Sequence, residues 1–497
     1  MIDILTYSPD KPLLFTQLSF WIFFFVVFVG FGLTHKKIAV RNMWLFAVSV
    51  FFYYKLSGWF FVLVLMSVVV NFFIGGHISK LKSEKKRKGW LAAAVVYNLL
   101  WLVYYKYAYL FADWTNQIFG TQIIVHDWLG DALCAIGSGK MSFTDIMLPV
   151  GISFYTFQAI SYCVDIYRKH IEPLNSIVDF GFYITFFPQL VAGPIVRASS
   201  FIPQIERPFV LDSAEFGQGL FLILNGLIKK IVIADYISVN FVDRVFDSPL
   251  SYSGFENLMG VYGYAIQIYC DFSGYTDIAI GLALLMGFHL SPNFASPYKA
   301  NNFTDFWRRW HISLSSWLRD YLYIPLGGNR KGRMRTYINL VIVMVLGGLW
   351  HGANLKFIVW GVLHGLYLAI DKLVDAVFRM PKQMKWFAVL VTFNVTAFTW
   401  IVFRAGSMAD ALTMLTQIFS NTHFEQIMPV LSAYRNVFVL VLLAYVVHWL
   451  PEEFKDWYRG KFATAPLLIQ GLIVMVVVFV LVQFRTTGLQ PFIYFQF

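Results

Sequence analysis

His351 is the residue whose type and position most strongly suggest chemistry in this sequence. It lies in Leu349-Trp350-His351-Gly352-Ala353-Asn354, between two apolar runs. An ionisable side chain in such a setting is costly to bury and is usually functional. Burial favours the neutral imidazole, which can take a proton from an attacking hydroxyl as a general base. We therefore expect His351 to be catalytic, with His311, Asn354 or a backbone amide near Gly352 stabilising the oxyanion.

The two apolar runs, 337–350 and 357–370, must position this histidine. At about 1.5 Å per residue, neither run can cross a hydrocarbon core of about 30 Å. We therefore expect the runs to join or meet inside the membrane, at a kink or break near Gly348 and Gly352. Either geometry places His351 inside the hydrocarbon core of the membrane.

A second cluster of candidate residues lies in the basic segment 303–321. Its periodicity predicts one continuous amphipathic helix at the membrane interface. The apolar seam contains Phe303, Trp307, Trp310, Leu314, Trp317 and Tyr321, and the polar seam contains Arg308, His311, Ser315 and Arg319. Headgroup anchoring is the simpler explanation for any one tryptophan. His311 is flanked by guanidinium groups that can bind a phosphate or carboxylate, so catalytic and structural roles stay equally open.

This cluster also supplies most of the expected substrate-binding residues. They are Trp307, Arg308, Arg309, Trp310, Arg319 and Arg330, together with Asp271, Asp277 and Asn354. Arg308, Arg309 and Arg330 are expected to help place the phosphates of a donor. Arg330 belongs to the basic loop 330–335, which should face the cytoplasm. Membrane orientation alone also explains such a loop.

Asp271 and Asp277 lie in an otherwise apolar stretch, where buried carboxylates need partners. Either carboxylate can orient a histidine or bind Arg308 or Arg309. A structural hydrogen-bond bridge between helices is the alternative.

Composition assigns the chain to the membrane-protein class. Hydrophobic residues make up 58% of the 497, charged residues 13%, and the mean hydropathy is +0.62, whereas soluble domains are far more polar. We predict an all-α polytopic membrane protein with about ten to twelve transmembrane helices, besides re-entrant and interfacial helices. The first apolar segment, 18–33, follows acidic residues and is interpreted as a retained span.

One membrane domain over 1–497 is the simplest division, with the informative motifs concentrated in 146–370. The segment 186–194 is apolar but interrupted by proline and glycine, which predicts a re-entrant segment lining a cavity. The segment 404–433 has helical apolar spacing and is expected to be a surface or interfacial element, or simply a packing helix.

The formal net charge of +11 follows the positive-inside rule and does not require a nucleic-acid partner. Basic residues cluster in short loops, whereas the connection 113–145 is mainly acidic, so the N-terminus is predicted outside the cytoplasm. Lys229 and Lys230 are expected to extend to a membrane interface. No metal site or disulfide framework is expected, because no paired spacing joins the cysteines, Cys134, Cys163 and Cys270.

Five stretches together resemble the membrane-bound O-acyltransferase superfamily (MBOAT), most closely its bacterial branch containing the alginate O-acetylation membrane protein. In chain order they are Phe187-Pro188-Gln189-Leu190 with Gly193-Pro194, Asp271-Phe272-Ser273-Gly274-Tyr275, Phe306-Trp307-Arg308-Arg309-Trp310-His311, Tyr321-Leu322-Tyr323-Ile324-Pro325-Leu326-Gly327-Gly328, and Gly348-Leu349-Trp350-His351-Gly352. The resemblance covers essentially the whole chain. It implies that His351 is the catalytic residue and that His311 is the second polar residue of the site.

Members of this branch move acetyl groups from a cytoplasmic thioester toward an extracytoplasmic polysaccharide, commonly with a separate periplasmic acetyltransferase. The resemblance therefore implies a multi-pass O-acetyltransferase of the bacterial cytoplasmic (inner) membrane, surrounded by membrane lipid. It implies acetyl-CoA as the acyl-donor substrate and no bound cofactor. Transfer to teichoic acid, lipid or protein stays an alternative within the same chemistry. A scaffold, or a non-enzymatic transporter or exporter of an envelope glycan, is the rival class, which the single broken-helix junction disfavours.

Overall fold

The protein is helical throughout the part of the chain that the structure describes. A computed structural model covers residues 6–9, 11–131, 146–377, 384–484 and 490–493, and these ranges contain no strand. The acidic connection 113–145 is therefore described only as far as Asp131, and Cys134 lies outside the described residues.

Two compact units divide the chain. One is built from 1–211 with 282–291 and the other from 212–281 with 292–497. A compact unit need not be an independently folding domain, so the single membrane domain expected over 1–497 stays a prediction.

The first unit buries polar residues by pairing them between helices. Its helices are α1 (Leu18–Thr34), α2 (Ile38–Ser57), α3 (Phe61–Lys80), α4 (Glu84–Leu102), α5 (Ala108–Phe119), α6 (Ile152–Tyr167), α7 (Ile177–Thr185), α8 (Phe187–Leu190) and α9 (Ala198–Ile205). The Asn42 amide of α2 donates to Asp179 of α7 at 2.7 Å. Asn71 of α3 and Asn98 of α4 exchange amide hydrogen bonds of 3.1 and 2.7 Å. Such pairing offsets the cost of burying these groups.

The second unit carries the candidate chemistry. Its helices are α10 (Ser213–Leu227), α11 (Asp243–Asp247), α12 (Gly254–Leu285), α13 (Phe303–Arg309), α14 (Ile312–Leu318), α15 (Arg333–His351), α16 (Leu355–Val377), α17 (Lys385–Arg404), α18 (Met408–Ser420), α19 (Ile427–Ala433), α20 (Arg435–Trp449), α21 (Glu452–Ala463) and α22 (Leu467–Gln483). Wider π-helical turns occupy Ile228–Asp235, Ser238–Val242 and Arg319–Tyr323.

Five segments of the described chain are long and apolar enough to cross a membrane, or up to seven if each of two bent helix pairs is one span. They are Ile38–Lys80, Gly254–Leu285, Arg333–His351, Leu355–Val374 and Lys385–Arg404, and the pairs are α19 with α20, bent by 88°, and α21 with α22, bent by 113°. The all-α, multi-pass prediction is confirmed. The expected ten to twelve spans exceed this count, because some expected spans form shorter helices such as the 17-residue α1 and 16-residue α6.

α15 and α16 correct the expectation that the runs flanking His351 are too short to cross. Each helix continues beyond its apolar run into polar residues, giving 19 residues in α15 and 23 in α16. The turn 352–354 joins them, and a Cβ added to Gly348 would lie 2.1 Å from the Phe357 carbonyl oxygen. The two backbones therefore touch. His351 ends a complete helix and does not interrupt a broken one.

The continuous helix expected over 303–321 is also wrong. α13 ends at Arg309, and His311 adopts a left-handed conformation with φ 44° and ψ 54° before α14 begins. This conformation costs a non-glycine residue about 1–3 kcal/mol. Hydrogen bonds to a neighbouring loop hold it: the Ile312 amide donates to the Asn293 carbonyl at 3.0 Å, and the Ala295 amide to the Arg309 carbonyl at 3.0 Å.

The break separates the residues of the expected polar seam. His311 is fully buried, whereas Arg308 and Arg319 are exposed. The apolar seam holds, because Phe303, Trp307, Trp310, Leu314 and Trp317 are all buried.

Two further segments differ in how far they match expectation. In 404–433, the 13-residue α18 buries Ala411 and Ile418 of the expected apolar spacing, but it exposes Leu412 and buries Met414 instead. In 186–194, the short helix α8 is entirely buried, and its re-entrant path stays a prediction.

Candidate active site

His351 is the last residue of α15 and has only 3% of its surface exposed. Its ring centroid lies 5.0 Å from that of Trp350, 5.4 Å from Trp360 and 5.3 Å from Phe403. These rings come from α15, α16 and α17, so packing of three helices fixes the imidazole.

His311 reaches the same place from the break between α13 and α14. Its ring centroid lies 6.5 Å from that of His351 and 5.8 Å from that of Trp350. Phe272 of α12 packs edge-on against it at 4.7 Å. The structure therefore brings together the two histidines that the sequence predicted as catalytic, although α14, a π-helical turn and the length of α15 separate them in the chain.

Asn293 contacts His311 and was missed by the sequence analysis. Its side-chain oxygen lies 3.2 Å from His311 Nδ1 and accepts hydrogen bonds from the Ser313 amide at 3.1 Å and the Ser313 hydroxyl at 3.0 Å. Burial lowers the pKa of His311 to about 3, so the ring is neutral at cytoplasmic pH. The only available signal was a polar residue in the turn-forming stretch after α12, and nothing in the spacing linked it to His311.

A third buried histidine, His364 of α16, adjoins the pair through aromatic rings and was also not predicted. Its Nε2 lies 3.1 Å from the Thr399 hydroxyl, which itself donates to the Thr396 carbonyl at 2.6 Å. The Thr399 oxygen therefore accepts from His364 Nε2. Trp307 lies 5.3 Å from His364 and 5.7 Å from Trp360 between ring centroids.

Trp307 also lines a cavity of about 370 Å³. Its floor is aliphatic and includes Leu318, Leu340, Val343, Met344 and Leu368, whereas Arg308, Arg319, Lys372, Tyr323 and Asn329 contribute polar groups. Ile312, next to His311 in the chain, also lines it. Such a cavity suits an elongated ligand with an apolar or amide-bearing arm and an anionic end.

The other predicted binding residues are more dispersed. Trp310 is buried against Trp400, with ring centroids 5.0 Å apart. Arg309 pairs with Asp305 at 3.0 Å, and Arg330 is exposed in the turn before α15. Neither arginine lines the cavity.

Asn354 is exposed and accepts a hydrogen bond from the Lys356 amide at 3.1 Å. It therefore caps the start of α16, which Asn favours at such positions.

Asp271 and Asp277 bind lysines, which corrects the expected pairing with Arg308 or Arg309. Asp271 lies 2.5 Å from Lys230, and Asp277 lies 2.8 Å from Lys229. Asp271 also accepts from the Ile493 amide at 2.9 Å. These contacts form the structural bridge between elements that was the alternative, and substrate binding by Asp271 or Asp277 stays a prediction.

The same contacts correct the expectation for Lys229 and Lys230. Both side chains are largely buried, and Lys230 also meets Asp235 at 2.7 Å. They do not extend to an interface, because their carboxylate partners lie inside the unit. Within the described ranges, no group of three or more His, Cys, Asp or Glu side chains is placed to hold a metal ion.

Comparison with known proteins identifies the family. The model of the membrane-bound O-acyltransferase (MBOAT) family matches residues 169–412. A probable alginate O-acetylase of Pseudomonas aeruginosa is 38% identical over 413 residues, covering 82% of this chain and 75% of the relative. The chain belongs to the membrane-bound O-acyltransferase family. The matched range contains His311, His351 and the residues of the cavity.

Other relatives of this MBOAT protein carry related activities. A peptidoglycan O-acetyltransferase of Helicobacter pylori is 35% identical over 434 residues, covering 80% of this chain and 78% of the relative. A teichoic acid D-alanyltransferase of Bacillus subtilis is 28% identical over 278 residues, covering 51% and 68%. This protein is accordingly a multi-pass membrane O-acyltransferase, an enzyme that moves an acyl group from a donor to a hydroxyl.

Proposed function

We propose that this acyltransferase moves acetyl groups from acetyl-CoA, a cytoplasmic thioester, toward an extracytoplasmic polysaccharide. The single observation that carries the proposal is the pair of buried histidines, with ring centroids 6.5 Å apart. Ile312, next to His311 in the chain, lines a cavity that also contains Arg308, Arg319 and Lys372. The names of the relatives at 35–38% identity, both O-acetylating, support acetyl as the group and a glycan as the acceptor.

The chemical step is attack of a hydroxyl on the thioester carbonyl. A C–O bond forms and the C–S bond breaks, while the hydroxyl proton passes to an imidazole and then to the departing thiolate. His351 is the proposed base, because it is a buried histidine whose ring is held by Trp350, Trp360 and Phe403. General-base catalysis of this kind contributes roughly 10²–10⁴-fold.

The cavity beside Trp307 is the proposed donor site. Arg308 and Arg319 are the two predicted arginines that line it, and Lys372 adds a third cation. Their charge suits the phosphates of a coenzyme A, and the aliphatic floor suits its pantetheine arm. Trp307 also lines this cavity and contributes an aromatic surface.

The acceptor is either the polysaccharide itself or a separate periplasmic acetyltransferase that passes the acetyl group on. Both receive the group through a hydroxyl, so the same histidine pair serves either route. We place the protein in the bacterial cytoplasmic membrane with its N-terminus outside the cytoplasm, supported by the basic loops after α1 and α3. Transfer of an acyl group to teichoic acid, lipid or protein is the alternative within the same chemistry.

The test is the acetyl content of exported or envelope polysaccharide in a strain lacking the protein. The strain is complemented with wild type or with His351→Ala at matched membrane abundance. We expect deletion to remove the acetyl groups, wild type to restore them and His351→Ala to fail. Unchanged acetylation after deletion would exclude the polysaccharide assignment in that strain.

A further inference from the structure

Asn293 stands at the centre of the backbone distortion that presents His311. Its side-chain oxygen meets His311 Nδ1 and both polar groups of Ser313, and its backbone carbonyl accepts from the Ile312 amide. Asn293 therefore holds the left-handed residue His311 and the two residues that follow it, Ile312 and Ser313. Strained conformations of this kind persist only where neighbours fix them, and they concentrate at functional sites.

The hydrogen bonds determine which atom of the Asn293 amide faces His311. The Ser313 backbone amide can only donate, so the atom 3.1 Å from it must be the amide oxygen. The same oxygen lies 3.2 Å from His311 Nδ1. An oxygen that only accepts requires a proton on Nδ1. The other ring nitrogen, Nε2, then carries a lone pair as long as the ring is neutral.

The surroundings keep the ring neutral. Phe272 and Trp350 pack on it, and His351 is the titratable side chain whose ring contacts it, at 6.5 Å. Asp271 of α12, next to Phe272 in the chain, pairs with Lys230 at 2.5 Å, and Lys230 also meets Asp235 at 2.7 Å. Burial is the cause of the low pKa of His311, about 3. Near neutral pH the ring has a single proton, and Asn293 determines where it is.

We infer that Asn293 is a positioning residue that holds His311 with its proton on Nδ1, so that Nε2 accepts a hydrogen bond or a proton during acyl transfer. This inference rests on the proposed function and deepens it. A neutral His311 in this form cannot donate from Nε2, so it does not stabilise an oxyanion through that atom. It acts on the hydroxyl proton together with His351, and the oxyanion donor must be another group.

Three variants of the full-length purified protein separate positioning from simple structural support. Asn293→Ala removes the acceptor. Asn293→Asp keeps an acceptor for the Nδ1 proton and adds a negative charge that raises the pKa of His311. Ser313→Ala removes the hydroxyl that donates to the Asn293 side-chain oxygen and keeps the contact between that oxygen and His311 Nδ1. It is therefore the matched control.

The first readout is release of coenzyme A from acetyl-CoA between pH 5 and pH 8, with a soluble glycan supplying the attacking hydroxyl, resolved into kcat and KM. We expect Asn293→Ala to lower kcat at least about tenfold with little change in KM, because the ring loses its fixed proton position. Asn293→Asp should recover kcat at pH 8 and lose it on acidification, as His311 becomes protonated. Ser313→Ala should stay near wild type.

The second readout is ¹⁵N NMR of histidine-labelled protein in lipid, which reports the proton position without requiring turnover. The His311 signal is assigned by its loss in His311→Gln. We expect a protonated Nδ1 in wild type and a shift toward a protonated Nε2 in Asn293→Ala.

The outcomes distinguish this inference from the proposed function. A protonated Nε2 in the wild-type spectrum, or wild-type kcat in Asn293→Ala, would overturn the positioning role. Equal loss of kcat in all three variants with no change in pH profile would also overturn it, because it indicates structural support alone. An inactive wild type with the expected spectrum would contradict the proposed function and leave the position of the His311 proton established.

Discussion

His351 and His311 were predictable from the sequence, whereas the geometry that joins them was not. His351 was recognisable as an ionisable residue between two apolar runs, and His311 as a histidine flanked by arginines. The left-handed turn at His311 had no such mark, because the flanking spacing fits a continuous helix and neither glycine nor proline signals the break. Asn293 and His364 were missed because contacts between distant positions leave no local pattern.

Lys372 provides a prediction at this scale, because it lines the proposed donor cavity and no sequence pattern indicated it. We expect Lys372→Gln to raise the KM for acetyl-CoA about fivefold, as loss of one phosphate contact costs about 1 kcal/mol, with kcat nearly unchanged. Steady-state kinetics of purified protein measures both constants. Arg330→Gln is the control, since Arg330 is exposed and does not line the cavity. Equal KM values for Lys372→Gln and wild type would remove this cavity from the donor assignment.

The hairpin of α15 and α16 is the element that places His351 among its aromatic neighbours. Its apolar runs were recognised, but their lengths underestimated the helices, because polar residues continue each helix beyond the run. The glycines near the junction suggested a break, and in the structure they serve close packing of two whole helices. Composition alone does not distinguish a glycine that kinks one helix from a glycine that admits a neighbour.

Gly348→Ala tests this packing. The added methyl group would lie 2.1 Å from the Phe357 carbonyl oxygen, so the helices must move apart. We expect lower membrane abundance, a lower unfolding temperature and loss of acyl transfer. Gly471→Ala in α22 is the matched control, because no atom lies within 4 Å of its added Cβ, and alanine favours a helix by up to about 1 kcal/mol over glycine. Wild-type stability and activity in Gly348→Ala would refute the close-packed hairpin.

The buried ion pairs provide a second test of the elements. Lys230 lies between Asp235 and Asp271, and removing its charge leaves two buried carboxylates close together. We expect Lys230→Met to cost about 3–5 kcal/mol of stability, the usual effect of breaking a buried pair. Thermal unfolding of the solubilised protein measures it, with Lys461→Met on the exposed face of α21 as control. Equal unfolding temperatures for the two variants would argue against a structural role for this pair.

At the scale of the whole molecule, composition predicted the class correctly and the number of spans less well. High hydropathy with few charges is sufficient to identify a polytopic membrane protein. Span counting fails where the chain forms shorter helices such as α6, or bends sharply between α19 and α20 or between α21 and α22. Such bends depend on packing against other elements. A hydropathy average over a stretch of sequence contains no information about that packing.

Membrane orientation can be checked with single cysteines and a membrane-impermeant maleimide on intact cells. We expect Lys86→Cys, exposed in the first turn of α4 after the basic connection that follows α3, to react only after the membrane is opened. Gln122→Cys, exposed in the acidic connection after α5, should react from outside. The native Cys163 and Cys270 are buried and should react slowly, and Cys134 is replaced by serine in both variants. The reverse pattern would invert the proposed orientation of the N-terminus.

The central claim is that a membrane O-acyltransferase uses His351 to activate the attacking hydroxyl. Its most direct test is single-turnover release of coenzyme A from acetyl-CoA by purified full-length protein in lipid, with a soluble glycan supplying the attacking hydroxyl, comparing wild type with His351→Ala at equal folded concentration. We predict a rate roughly 10²–10⁴-fold lower for the variant, with acetyl-CoA still bound. A variant that releases coenzyme A at the wild-type rate would contradict the assignment of His351 as the catalytic base.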